Sequence, residues 1–282
     1  YNNHWGAFMV LWLAAASALL FYQTERHRGR DLWHSPVSLF LLALLLIAAT
    51  APLSASRAAT AMAGVVLALI LATALLRIRA HRHSTGRSTW PPVLAVLIVT
   101  VVACSAIAWL AQRSITERYR DTRSVLDRDE SVLDGRLALY RDTWELVRRK
   151  PWFGWGFESY GAAFLLIRPR PLEPGRQYEA SYTEAHSDWL QSLAETGFVG
   201  SSLALLSALL PLAALRRRAW REPLVTHVLF GCLLVTLYAW IEFPFANGAV
   251  LISFWMLYFG ALGLARLGPR SAPSPPCIPS SS

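Results

Sequence analysis

The sequence predicts an all-α protein that crosses a membrane several times, and three observations carry that prediction. Hydrophobic residues make up 54% of the 282, and the mean hydropathy is +0.35. Such values belong to multi-span membrane proteins rather than to soluble domains. Seven apolar runs approach the roughly 20 residues that a helix needs to cross a bilayer core. The basic residues are concentrated in alternate short connections between those runs.

The runs cover about 5–22, 35–53, 58–76, 90–111, 190–215, 224–241 and 250–266. Only Ser54-Ala55-Ser56-Arg57 separates the second from the third, which predicts a tight helical hairpin. The last two are separated by Glu242-Phe243-Pro244-Phe245-Ala246-Asn247-Gly248, also short. The chain begins at Tyr1 and leads directly into an apolar run, so it reads as a piece of a longer membrane protein. Cys104 and Cys232 lie inside apolar runs and Cys277 in the tail. That spacing fits neither a disulfide framework nor a zinc site.

Orientation follows from the charges. Segments 23–34, 77–89, 216–223 and the tail together carry 13 arginines against Glu25, Asp31 and Glu222, a net of +10. If seven spans alternate, all four lie on one side, predicted to be cytoplasmic. Segment 112–189 lies on the other side and holds 13 basic and 13 acidic residues. The overall +9 is thus a topology signal, and no nucleic-acid partner is expected.

Segment 112–189 is too long for a plain connection. In 131–149, Leu133, Leu137, Tyr140, Trp144 and Val147 recur at spacings of 4, 3, 4 and 3, one face of a helix. Ser131 or Asp134 would cap its start, Pro151 follows its end, and its apolar side is expected to lie on the membrane surface. The run Trp152 to Gly161 mixes aromatics suited to the interface with glycines suited to tight backbone. Residues 168–180 read as a flexible loop, able to act as a lid. The expected divisions are a four-helix part (1–111), a loop domain (112–189), a three-helix part (190–266) and a disordered tail (267–282).

No apolar run has an ionisable residue at its centre, as ion-coupled transporters usually require. Polar residues lining the spans at intervals, as in a channel, are also lacking. A non-catalytic export or channel partner is the rival reading. Polar residues collect instead at the ends opposite the arginine-rich segments: Asn2, Asn3, His4, Arg57, Arg136, His186, Asp188, Gln191 and Glu195. On a helix, Asp188, Gln191 and Glu195 share one face. Arginines and a histidine at an outer face suit an anionic, membrane-held substrate, such as a lipid-linked glycan diphosphate.

The stretch AHSDWLQSLAETGFVG (185–200) resembles a motif of the O-antigen ligase and polymerase superfamily. That motif runs close to His-Asn-Asp-Tyr-Leu-Gln followed by Glu-x-Gly-x-x-Gly. GRLALYRDTWELVRRKPWFGWGFESYGAAF resembles the Gly-Arg…Trp…Pro…Gly-x-Gly stretch of the same superfamily. SASRAA resembles its Ser-Arg hairpin, YNNHWGAF its Asn-x-Asn-His segment, and IEFPFANGAV its closing Asp-Phe-Pro turn. The five pieces occur in matching order across nearly the whole chain. Ser187 stands for the motif's Asn, Trp189 for Tyr, Trp5 for Phe and Glu242 for Asp.

The resemblance implies a polytopic inner-membrane glycosyltransferase with a GT-C-like architecture and a large periplasmic loop. It would move a glycan from an undecaprenyl diphosphate carrier to an acceptor hydroxyl on the periplasmic face, without metal or other cofactor. The acceptor would be a lipid A core or another glycan acceptor; a polymerase of the superfamily would use a second lipid-linked repeat. His186 is implied as the base, since histidine, with a reference pKa of about 6.5, is largely neutral at neutral pH. Arg57 and Arg136 are implied as a diphosphate clamp, because guanidinium offers paired donors and keeps its charge. Direct displacement would invert the anomeric centre. Asn3, His4, Asp188, Gln191 and Glu195 are expected to bind substrate or to hold the loop, and Glu242 to cap or pack the final hairpin.

Overall fold

The computed structural model describes residues 2–26, 36–53, 56–85, 136–167 and 183–267. The α-helices are α1 (Asn2–Arg26), α2 (Pro36–Leu53), α3 (Arg57–Thr85), α4 (136–149), α5 (Tyr160–Ile167), α6 (Asp188–Ala213), α7 (Pro223–Tyr238) and α8 (Gly248–Leu267). No strand occurs among the described residues. Four segments are long and apolar enough to cross a membrane: Asn3–Arg26, Ala58–Ala80, Asp188–Ala213 and Gly248–Leu267. Pro36–Ala51 and Pro223–Tyr238 are apolar but shorter. Six of the seven predicted runs therefore fall on helices. The run at 90–111, the caps Ser131 and Asp134, the loop at 168–180 and the tail lie outside the described residues.

The starts of the helices show why the chain turns where it does. Ser56 Oγ accepts from Ala59 N at 3.3 Å, Ser187 Oγ from Leu190 N at 3.4 Å, and Asn247 Oδ1 from Ala249 N at 3.0 Å. Each satisfies an amide that a helix start would otherwise leave bare. Pro223 opens α7, where its missing N–H costs nothing.

α1 is the central helix and packs on α7, α2, α3 and α8. Its Met9, Val10, Leu13 and Ala18 are buried with Val66 of α3, Val235 of α7 and Val250 of α8. Gly6 lies against Ala59, while Arg77 reaches Phe21, so α1 and α3 run parallel. His4 meets Phe243, just beyond α7, and Phe21 stacks on His227 near its start, so α7 runs antiparallel to α1. The Tyr258 hydroxyl donates to the Ala208 carbonyl and ties α8 to α6. The starts of α1, α3, α6 and α8 thereby gather at one end of the bundle. Arg77, ion-paired to Glu25 at 2.9 Å, belongs to the other end. Leu203, Leu206, Leu209 and Leu210 of α6 and Ile252 and Phe259 of α8 point outward, an apolar surface suited to lipid.

A second core joins α4 and α5 to the start of α6: Leu139, Leu146, Val147, Tyr160, Phe164 and Ala194. The stripe of α4 that enters this core is offset from the face expected at the membrane surface, and the two share Val147. Leu139, Thr143, Leu146 and Val147 are buried, whereas Leu137 and Trp144 are exposed and Tyr140 is half-buried. The buried stripe contains a threonine, so a search for apolar spacing passes over it. The Thr143 hydroxyl is satisfied by the Leu139 carbonyl and the Tyr160 hydroxyl, both at 2.7 Å.

Candidate functional site

At the gathered helix ends, Glu242 is the hub. It follows α7 in a turn that closes on the 3-10 turn Pro244–Ala246, and its side chain is only 7% exposed. Its Oε1 accepts from an Arg136 guanidinium N–H at 2.9 Å. Its Oε2 stands 4.0 Å from His186 Nδ1, beyond hydrogen-bond length but within ion-pair reach. Asn3 is the third group directed at the carboxylate. Burial alone pushes the Glu242 pKa up, but the His186, Arg136 and Asn3 contacts outweigh it and hold the carboxyl below its ordinary range. An ionised carboxylate with several donors is therefore built into the site.

His186 is held in an uncommon backbone conformation, φ 50, where side chains other than glycine rarely sit. Two contacts fix it. The Tyr140 hydroxyl donates to the His186 carbonyl at 3.0 Å. The edge-to-face packing of Phe243 sets the imidazole, with centroids 4.8 Å apart. Phe243 meets His4 in the same way at 5.1 Å, so one ring bridges the first helix and the histidine of the 185–200 stretch. Arg136 and Tyr140 lie one turn apart on α4, and each reaches across to a different segment of the site.

The other predicted residues are tied to the backbone. Asp188 Oδ2 accepts from Phe245 N at 2.9 Å, and Asp188 N donates to Ala239 O at 3.0 Å. Gln191 Oε1 accepts from Ala185 N at 3.1 Å, while its Nε2 donates to Glu195 Oε1 at 3.2 Å. Buried Glu195 also accepts from Tyr160 N at 3.3 Å. Asp188, Gln191 and Glu195 share a helix side as expected, yet their contacts hold the turn at 242–246 and the loop before α5. Asn3, His4, Arg136, His186 and Asp188 are brought together around Glu242 and Phe243. Gln191 and Glu195 extend this network down α6. The Arg57 side chain lies outside the described residues, but its position opens α3, next to buried Ser56, which neighbours Tyr238 one turn before Glu242.

Sequence reasoning missed Tyr140 as a support and Glu242 as the hub. The signal for Tyr140 was its place one turn after Arg136. For Glu242 it was an acidic residue in a seven-residue turn between two apolar runs.

α6 is broken at Gly197, with φ 66 and ψ −174. There Phe198 N donates to Pro151 O at 2.7 Å and Val199 N to Trp152 O at 3.1 Å. From the other side Trp155 N donates to Ala194 O at 3.0 Å and Gly156 N to Glu195 O at 2.8 Å. A Cβ on Gly197 would come within 2.4 Å of Trp152 O, and one on Gly154, also at positive φ, within 2.3 Å of Glu195 O. The two glycines let both backbones touch, and so set how the α4–α5 unit sits on α6.

A family model described as O-antigen ligase matches residues 41–205, more than half of the chain; the match takes in Arg136, Tyr140, His186 and Asp188, while Asn3, His4, Glu242 and Phe243 lie outside it. No curated protein and no solved structure matches the chain.

Proposed function

The chain belongs to the O-antigen ligase family, and from that premise we propose that it is an inner-membrane glycosyltransferase acting on the periplasmic face. It takes a glycan from undecaprenyl diphosphate and passes it to an acceptor hydroxyl. The observation that carries the reading is Glu242 bridging Arg136 and His186 at the ends of the helices. That end is opposite the arginine-rich segments, which favours the periplasmic side for it.

In this reading His186 Nδ1 faces Glu242 and Nε2 is left for the acceptor. The acceptor hydroxyl gives its proton to Nε2, and its oxygen attacks the anomeric carbon. The bond from that carbon to the diphosphate oxygen breaks, and the electron pair leaves on the diphosphate. A single displacement inverts the anomeric centre. The imidazolium formed lies 4.0 Å from a carboxylate held ionised, which stabilises it. Arg136 and Arg57 neutralise charge growing on the leaving group, and preorganised donors of this kind contribute roughly 3–4 kcal/mol each. Arg136 is 40% exposed, so a diphosphate can reach it while it stays paired to Glu242. Asn3, His4, Asp188, Gln191 and Glu195 act chiefly by holding this arrangement.

The test is in vitro transfer from a defined undecaprenyl diphosphate glycan, offered in parallel to a lipid A core acceptor and to a second lipid-linked repeat. Transfer to the first supports a ligase, and transfer to the second a polymerase. Transfer to neither, with donor binding demonstrated, overturns the reading.

A further inference from the structure

We propose that the turn at 151–157 is a membrane-interface anchor, seating Trp152, Phe153 and Phe157 in the lipid headgroup zone on the same side as the site. The three side chains are 66%, 76% and 80% exposed. They do not hang from a loose loop. Gly154 N donates to Lys150 O at 3.1 Å, four further backbone bonds clamp the turn to α6 around Gly197, and Trp155 Nε1 donates to Leu146 O at 2.9 Å. Lys150 covers the inner Trp155 at 4.2 Å. A rigid turn thus turns one aromatic inward and holds three outward.

Position identifies the partner. The clamp sits where α6 changes character. Before Gly197 the helix packs into the second core through Ala194 and buried Glu195. After it come exposed Phe198 and Val199, then the outward leucines 203, 206, 209 and 210. The aromatics stand at the upper edge of an apolar surface that continues down the helix, where tryptophan and other aromatics favour the boundary between water and hydrocarbon. Arg148, Arg149 and Lys150 are exposed immediately before the turn; Glu145 pairs with the two arginines at 3.9 and 3.3 Å and leaves their other N–H groups to meet lipid phosphates while the rings sit lower. A protein partner would not need this continuity with lipid-facing leucines. The nine residues from Asp188 to Thr196 rise about 13 Å, so the anchor fixes the level of His186 relative to the bilayer.

The test needs no glycan and is independent of the reaction proposed above. The chain, with Cys104, Cys232 and Cys277 replaced, carries bimane on Phe153→Cys, Phe157→Cys or Leu209→Cys in nanodiscs of phosphatidylethanolamine and phosphatidylglycerol. Lipids brominated near the headgroup should quench positions 153 and 157, and lipids brominated deep in the chain should quench 209. Aqueous iodide should quench none strongly. Strong iodide quenching at 153 and 157 overturns the proposal, as does protection there from both quenchers, which would mean cover by protein. As a check free of substitutions, a photoactivatable phospholipid should modify residues 152–157 of the native chain; modification confined to the long helices overturns it.

Discussion

Arg136 and Glu242 meet at 2.9 Å although 106 positions separate them. One partner is buried and the other is 40% exposed, which fixes the scale of their coupling. A surface pair contributes about 0–1 kcal/mol, whereas breaking a buried pair costs about 3–5 kcal/mol. Arg136→Ala should therefore destabilise by an intermediate ~1–3 kcal/mol, because it strands a buried carboxylate. Glu242→Gln should cost less, and adding it to Arg136→Ala should recover part of the loss. A double-mutant cycle in detergent checks this; strict additivity would remove the pair's role.

The same carboxylate sets a pH dependence. Its folded pKa lies below the ordinary 4.5, held there against burial by His186, Arg136 and Asn3. A depressed folded pKa contributes stability above the unfolded value, and that contribution is lost as pH falls through the folded one. Acid unfolding of the wild type should therefore include a component below about pH 4.5 that Glu242→Gln lacks, read by thermal unfolding against pH.

His186 carries the sharpest functional prediction. His186→Gln keeps polarity and volume but cannot take the acceptor proton, and should slow single-turnover transfer about a hundredfold to ten-thousandfold with donor binding intact. Near-normal transfer at matched donor occupancy would move the base elsewhere, with Asp188 or Glu195 as the next groups to test.

Tyr140 touches His186 only through the backbone carbonyl, at 3.0 Å. Tyr140→Phe removes that one bond, worth about 0.5–1.5 kcal/mol, from a residue held at φ 50. It should lower kcat far more than donor KM, and lower the melting temperature by only about 1–5 °C. A variant that loses stability and transfer in proportion would make Tyr140 a packing residue instead.

The proposed orientation is checked with an impermeant thiol reagent. Single cysteines at 141 and 184 should react in intact cells, and those near 218 only after permeabilisation. The reverse pattern would place the site in the cytoplasm.

The apolar runs were legible because a membrane helix must be apolar over most of its length, whether it meets lipid, as α6 does, or other helices, as the central α1 does. α1, α2, α3, α6, α7 and α8 all fall where the runs do. What was hidden depended on partners far along the chain. The protein-facing stripe of α4 could not be read from apolar spacing because Thr143, a polar residue, is buried through its bond to Tyr160. Glu242 looked like a cap because nothing near it in sequence indicates Arg136 or His186. The helical register of Asp188, Gln191 and Glu195 was predictable, but their partners at 245, 185 and 160 belong to three other segments.

The break in α6 also provides a spectroscopic handle. The amides of Phe198 and Val199 donate to Pro151 and Trp152. Their hydrogen-exchange protection thus reports whether the α4–α5 unit is docked, rather than whether α6 is helical. Deuterium uptake at these two amides would register undocking of that unit, and with it the loss of Arg136 and Tyr140 from the site, while helical circular dichroism stayed unchanged.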